Sequence, residues 1–162
     1  MESGSFYKVI PAKKELQMRL YMHHLFKGAN PTQTTVISSS NANSFGWAVV
    51  NDWPMYDGRG TDAKLVARAQ GTHIQAGMKD QLWYNSLNVV FEDARFKGST
   101  LQVMGTVVEE GDWAIVGGTG EFTLAQGVIY KKKVDITNEG DVMEIIIQAF
   151  YTPLPKLTWA NN

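Results

Sequence analysis

IVGGTGEFTLAQGVIY, residues 115–130, decides how the chain reads. Gly117, Gly118 and Gly120 fall within four positions, between apolar residues that favour strands. Glycines that dense oppose a helix and admit backbone with positive φ. After them Phe122, Leu124, Gln126, Val128 and Tyr130 share one parity, and Glu121, Thr123, Ala125, Gly127 and Ile129 share the other. A period of two is a strand with two distinct faces. The stretch therefore predicts a tight turn feeding a strand that carries one acid, Glu121, and one amide, Gln126.

The same period recurs on both sides. Leu16, Met18, Leu20, Met22 and His24 alternate with Gln17, Arg19, Tyr21 and His23, which predicts a strand ended by Gly28-Ala29-Asn30-Pro31. Residues 34–37, 45–50, 82–91, 101–108, 132–136 and 143–151 read as further strands. Asp52-Trp53-Pro54 reads as a break followed by a loop, residues 109–112 as an acidic turn, and residues 137–141 as a hairpin turn. Residues 65–74 fit helix or strand; Gly71 and the lack of a helix cap favour strand. Short strands between frequent turn signals, with hardly a credible helix, predict an all-β sandwich or barrel. No internal repeat is visible.

Composition bounds the rest. A chain of 162 residues with 44% hydrophobic and 19% charged residues suits one domain with a proper core. Net charge is -1, so no broad basic field faces nucleic acid or an anionic membrane, and neither is an expected partner. Lys131-Lys132-Lys133 is the one cationic run and reads as a charged strand end. No cysteine is present, which excludes disulfides, thiol nucleophiles and cysteine-ligated metals. Pro31 voids the glycosylation-like triplet at Asn30. Residues 1–15 read as an arm with a short edge strand at 6–10, residues 16–152 as the domain, and residues 153–162 as a proline-marked linker towards something further. The start lacks a signal-peptide core, so a cytoplasmic protein is expected, or an extracellular one if the start is trimmed.

Several phrases then combine. Tyr21-Met22-His23-His24 with Gly28 and Asn30 resembles a YMHD…GxN motif. Phe45-Gly46 with Asn51, Asp52 and Pro54 resembles FG…DDP, Ala69-Gln70-Gly71 is AQG, and Val90-Phe91 with Gly98-Ser99-Thr100-Leu101 is VF…GSTL. Val116-Gly117-Gly118-Thr119-Gly120 with Phe122 matches VGGTGxF, and Ala125 and Gly127 fall in ARG. In this order the phrases resemble the plant dirigent family over about residues 16–152. The resemblance implies an all-β fold, an eight-stranded antiparallel β-barrel of the dirigent and allene oxide cyclase-like type. It implies a homo-oligomer, often a trimer, with a pocket in the barrel mouth that holds one small ligand. Dirigent proteins steer the stereoselective coupling of monolignol phenoxy radicals that an oxidase makes; no cofactor is implied.

Three positions depart from the family pattern. His24 replaces the acid of YMHD, Gln126 the arginine of ARG, and His73 a tyrosine two residues after AQG; Glu121 keeps an acid that some members carry. Loss of a carboxylate and a guanidinium removes a proton acceptor and a fixed cation. With the Pro-Leu-Pro-Lys exit, the altered pocket most resembles the dirigent-like domain of grass jacalin-related lectins. That likeness implies a non-catalytic, carbohydrate-binding domain of a defence and stress lectin, with a C-terminal jacalin-type lectin domain as its partner in a longer chain. The alternatives are a dirigent protein proper and an interaction module without a ligand.

The candidate ligand-binding residues for the barrel mouth are Glu121, Gln126, His24, His73, Asp52, Trp53 and Arg68. His24 shares parity with apolar residues, so it reads either as a satisfied core histidine or as a pocket donor or acceptor. Glu121 either marks a solvated turn or accepts hydrogen bonds. Gln126 either lines the pocket or makes a plain core hydrogen bond. Asp52 and Arg68 either form a structural ion pair or reach the mouth. Trp53, read in a loop beside Asp52, is the candidate plate for a sugar face, against a plain packing role. His23 and His24 face opposite sides of one strand and cannot chelate one ion, so no metal site is expected. No phosphate-binding loop and no hydrolytic triad or carboxylate pair stands out.

Overall fold

The computed structural model describes residues 12–154. The strand expected at residues 6–10 and all but the start of the expected linker lie outside the described residues. The alternating segments form β1 Lys14–Leu25, β2 Gln33–Ile37, β3 Ala48–Tyr56, β4 Leu65–Gln75 and β5 Trp83–Phe91. They continue as β6 Thr100–Val107, β7 Glu110–Thr119, β8 Gln126–Ile136 and β9 Gly140–Tyr151. Every ladder is antiparallel, in the order β1-β9-β8-β7-β6-β5-β4-β3-β2, and β1 also pairs with β3. That last pairing closes all strands except β2 into an eight-stranded antiparallel barrel, and β2 lies beside β3. Closure satisfies the edges that an open sheet would leave unpaired.

One parity of each of the eight barrel strands faces the interior. Leu20, Met22, Met55, Ala67, Leu87, Val103, Ile129 and Ile145 are among the buried residues. One end is plugged by aromatic rings: Phe122 stands 4.8 Å from Phe91, 4.9 Å from Phe96 and 5.1 Å from Tyr151, centroid to centroid. The other end stays open.

Two sequence expectations change here. Asp52-Trp53-Pro54 does not break the chain but lies inside β3. Backbone N–H groups of even-numbered residues there point towards β1 and β2, as the Asp52 N–H donating to the Thr32 carbonyl shows. β2 pairs with β3 up to Asn51, and β1 takes over at Met55. Pro54 sits in that gap, where its missing N–H has no ladder partner to lose. The second change concerns residues 115–130. Gly117 and Gly118 belong to β7, and the chain turns only at Gly120, through the 3-10 turn Gly120–Phe122. A Cβ on Gly118 would overlap the Phe122 carbonyl oxygen, and Gly120 has φ +65°. Leu124 follows with φ 59°. These residues leave the pleat, so parity does not carry through: Phe122 is fully buried, while Leu124, Gln126 and Tyr130 face solvent.

Candidate functional site

The open mouth holds a pocket of about 450 Å³ whose lining includes His24, Phe26, Trp47, Val49, His73 and Trp83. Its walls are strand ends. His24 is at the end of β1, His73 near the end of β4 and Trp83 at the start of β5, each on the inward parity. Two loops form part of the rim. The Gln75 side chain, at the end of β4, donates to the carbonyls of Asn43 and Gly77 and accepts from the N–H groups of Gly77 and Leu82. Asn43 in turn donates to the carbonyls of Met78 and Lys79 at 3.1 and 2.7 Å. The two loops are therefore tied to each other and to β4.

The rings interlock. His24 is edge-on to Trp53 at 4.9 Å and to Phe26 at 5.8 Å. His73 lies 5.3 Å from Trp53, 5.2 Å from Trp83 and 6.3 Å from His24. The Trp53 indole N–H donates to the Gln33 side-chain oxygen at 3.2 Å, which fixes the ring against β2.

His24 joins a chain of charged side chains. Its Nδ1 is 2.9 Å from Asp141 Oδ1, its cross-strand neighbour in the β1–β9 ladder. The other Asp141 oxygen is 2.9 Å from the Lys133 ammonium, which reaches Glu109 at 3.8 Å towards solvent. Burial opposes the ionised form of Asp141. Hydrogen bonds from His24 and Lys133 overcome that cost and hold the carboxyl below its usual range. An ionised carboxylate only accepts, so Nδ1 carries a proton and donates it. In the neutral ring Nε2 is then the acceptor, and it is buried with no protein partner. His73 behaves differently. Burial, then the charge of His24, push it down to about 4, so it stays neutral. Its Nδ1 is 3.3 Å from the Asn51 side-chain oxygen. One imidazole of the pair is thus bound to a carboxylate, and the other is a neutral wall. Lys131, on the inner face of β8, is pushed down to about 8 by burial and by neighbouring Lys133, against the pull of Asp112, and donates to the Val108 carbonyl.

The sequence-predicted residues do not converge. His24, His73 and Trp53 meet at the open mouth. Trp53 is 1% exposed, so it cannot serve as an open plate for a sugar. Asp52 and Arg68 pair at 2.6 Å on the outer face of β3 and β4, which settles them as an ion pair. The Asp52 hydrogen bond outweighs burial and raises the Arg68 pKa. Glu121 lies at the plugged end and pairs with Lys14 at 3.0 Å on the surface. Gln126, in register with Phe150 at that same end, faces out. The sequence reading missed Asp141 and Lys133. The register His24↔Asp141 exposes the pair, but Asp141 reads as a turn residue until β9 is seen to begin at Gly140.

Residues 15–150 match the family described as dirigent-like protein. The chain belongs to the dirigent family. Dirigent protein 11 of Arabidopsis thaliana is 32% identical over 138 residues, covering 81% of this chain and 72% of that protein. Pterocarpan synthase 1 of Glycyrrhiza echinata is 30% identical over 149 residues, covering 86% of this chain and 79% of that one. The solved structure of a pterocarpan synthase dirigent protein superposes with TM-score 0.80 at 26% identity, covering 94% of this chain and 92% of that chain. These relatives overturn the carbohydrate-binding lectin reading: they are named as dirigent proteins and a pterocarpan synthase, not as lectins. The geometry supplies the physical reason, since Glu121, Gln126, Asp52 and Arg68 lie outside the mouth. A relative of this chain carries a synthase's name, so a dirigent fold does not by itself exclude a catalytic role.

Proposed function

We propose that this chain acts as a dirigent protein that captures a phenolic molecule in the open mouth and steers stereoselective coupling of monolignol phenoxy radicals. The observation that carries the proposal is the buried, unpartnered Nε2 of His24, a residue whose Nδ1 is held by Asp141 and which lines an aromatic-walled pocket. A phenol ring suits walls of tryptophan, phenylalanine and neutral histidine through offset and edge contacts. Its hydroxyl, or that of a side arm, suits a nitrogen acceptor.

The altered motif keeps a proton acceptor after all. The carboxylate absent at position 24 is supplied across the sheet by Asp141, and Lys133 provides a fixed cation behind it. The chain makes no radicals; an external one-electron oxidant does. Two radicals then form one bond from their unpaired electrons and leave quinone methide rings. When a side-arm hydroxyl adds to such a methide carbon, its proton passes to His24 Nε2, and the former quinone oxygen takes up a proton to become a phenol. The pocket's part is to hold one face of the ring towards its partner, as positioning rather than oxidation.

The test combines the protein with an oxidase and coniferyl alcohol and separates the coupled products on a chiral column. An enantiomeric excess is expected, falling towards zero in His24→Ala. A racemic product with the folded wild-type protein overturns the proposal for that substrate.

A further inference from the structure

We infer that Asn85 is a second polar anchor of this pocket and selects phenols that carry a hydroxyl on the arm opposite the ring hydroxyl. The inference rests on the phenol-binding reading above. Asn85 is 0% exposed, and both ends of its side-chain amide lack a hydrogen-bond partner. Among the described residues, the other buried side-chain polar atoms without a partner are His24 Nε2 and one Asp93 oxygen, in the β5–β6 turn at the plugged end. Buried amides elsewhere in the barrel are satisfied: Gln75 makes four hydrogen bonds, and Asn51 donates to the Ala69 carbonyl. Asn85 is the exception, and a buried amide without partners is costly to keep.

Its position explains why. The inward residues of β5 run Trp83, Asn85, Leu87, Val89, Phe91, from the rim to the plugged end. Apolar residues occupy every deeper step, and Trp83 lines the mouth. Asn85 is thus the first residue below the rim. It stands across from His73 on β4 and from Gly105 on β6. Gly105 offers no side chain, and the Trp113 ring covers it, 2.7 Å from where a Cβ would stand. Asn85 is therefore flanked on β4 by His73, which lines the pocket, and on β6 by Gly105, which the Trp113 ring covers.

A ligand lying along His73 and Trp83, with its phenol at His24, extends towards this amide. A hydroxyl there accepts from Nδ2 and donates to Oδ1, so it matches both unpartnered atoms. An ether or carbonyl matches only the donor, and a hydrocarbon neither. A pocket without such a partner prefers the hydrocarbon, because water solvates the extra hydroxyl outside.

Two probes of nearly equal size separate these cases: 4-propylphenol and 4-(3-hydroxypropyl)phenol. Binding is read by tryptophan fluorescence and by titration calorimetry. The wild-type protein is expected to bind the hydroxypropyl compound about five- to tenfold more tightly, the worth of one hydrogen-bonded hydroxyl. Asn85→Leu is expected to reverse the order while keeping its affinity for 4-propylphenol, with a melting temperature no lower than wild type. His24→Ala is expected to weaken both probes alike. A wild-type preference for 4-propylphenol overturns the inference, whether or not any variant folds. So does a preference that survives Asn85→Leu, or Asn85→Ala if the leucine does not fold. A lower melting temperature with an unchanged preference means that the amide only holds internal water, and also overturns it. Failure of the wild-type protein to bind either probe is a failure of the phenol-pocket reading itself.

Discussion

Replacing His73 by phenylalanine should make the barrel less sensitive to mild acid. His73 is 6% exposed and packed between Trp53 and Trp83. Burial, then the nearby charge of His24, bring its pKa from 6.5 to about 4. Protonation is therefore disfavoured in the fold, and between these two values the unfolded chain binds more protons. Stability from His73 is fully present above about pH 6.5 and declines as pH falls towards 4. At 1.36 kcal/mol per tenfold, the full gap is worth about 3 kcal/mol, and about 2 kcal/mol of it is lost between pH 7 and pH 5. Ordinary carboxyls titrate mostly below that window, and Asp141 lower still. His23 and His24 remain in both proteins, so the difference between them isolates position 73. The assay is urea unfolding followed by tryptophan fluorescence at several pH values for both proteins. His73→Phe starts less stable at pH 7, because Asn51 loses its ring partner, but should close the gap by about 2 kcal/mol at pH 5. Parallel curves for the two proteins from pH 7 to pH 5 would refute the reasoning.

Other outcomes follow from the same geometry. Leu124→Gly should raise stability by about 1 kcal/mol, because Leu124 occupies the left-handed region with its side chain 60% exposed; thermal unfolding checks it. Gly118→Ala should destabilise by several kcal/mol or prevent folding, since its Cβ would meet the Phe122 carbonyl; circular dichroism and thermal unfolding decide. Asp141→Asn should weaken phenol binding about tenfold, because the amide can turn its NH2 towards Nδ1 and no longer fixes the tautomer; calorimetry measures it. Arg68→Met, Glu121→Ala and Gln126→Ala should leave phenol binding unchanged within about twofold. The Arg68 change should cost under about 1 kcal/mol in denaturant, as its partner Asp52 is 47% exposed.

Much of the barrel was legible because its strands alternate cleanly. Residues 16–24 and 65–74 carry the period of two and lie within strands, as do the expected strand 143–151 and, apart from Leu82, the expected strand 82–91. What failed was local. Pro54 reads as a breaker from sequence, because only the hand-over from β2 to β1 along β3 shows that its N–H is not needed. Parity through residues 122–126 misleads because Gly120–Phe122 and Leu124 step out of the pleat, which turned Gln126 from an inward residue into an outward one. The site was half legible. His24 and His73 follow from alternation. Their company does not: Asp141 reaches His24 through a ladder that joins the two ends of the domain, and no local pattern announces it.

That ladder also orders events in time. β1 pairs with β9 along its whole length, from Lys14↔Tyr151 to Leu25↔Gly140, but with β3 only at Tyr21↔Tyr56 and Met22↔Met55. A nascent chain leaving the ribosome can zip β3 to β8 as successive hairpins while β1 waits, held by two residue pairs. Its main partner is β9, the last strand of the barrel. Such non-local pairing places folding in the slow range of β-proteins. It also means that the Asp141–His24 pair assembles only with β9, so a chain stopped before Gly140 has pocket walls but no carboxylate beside His24.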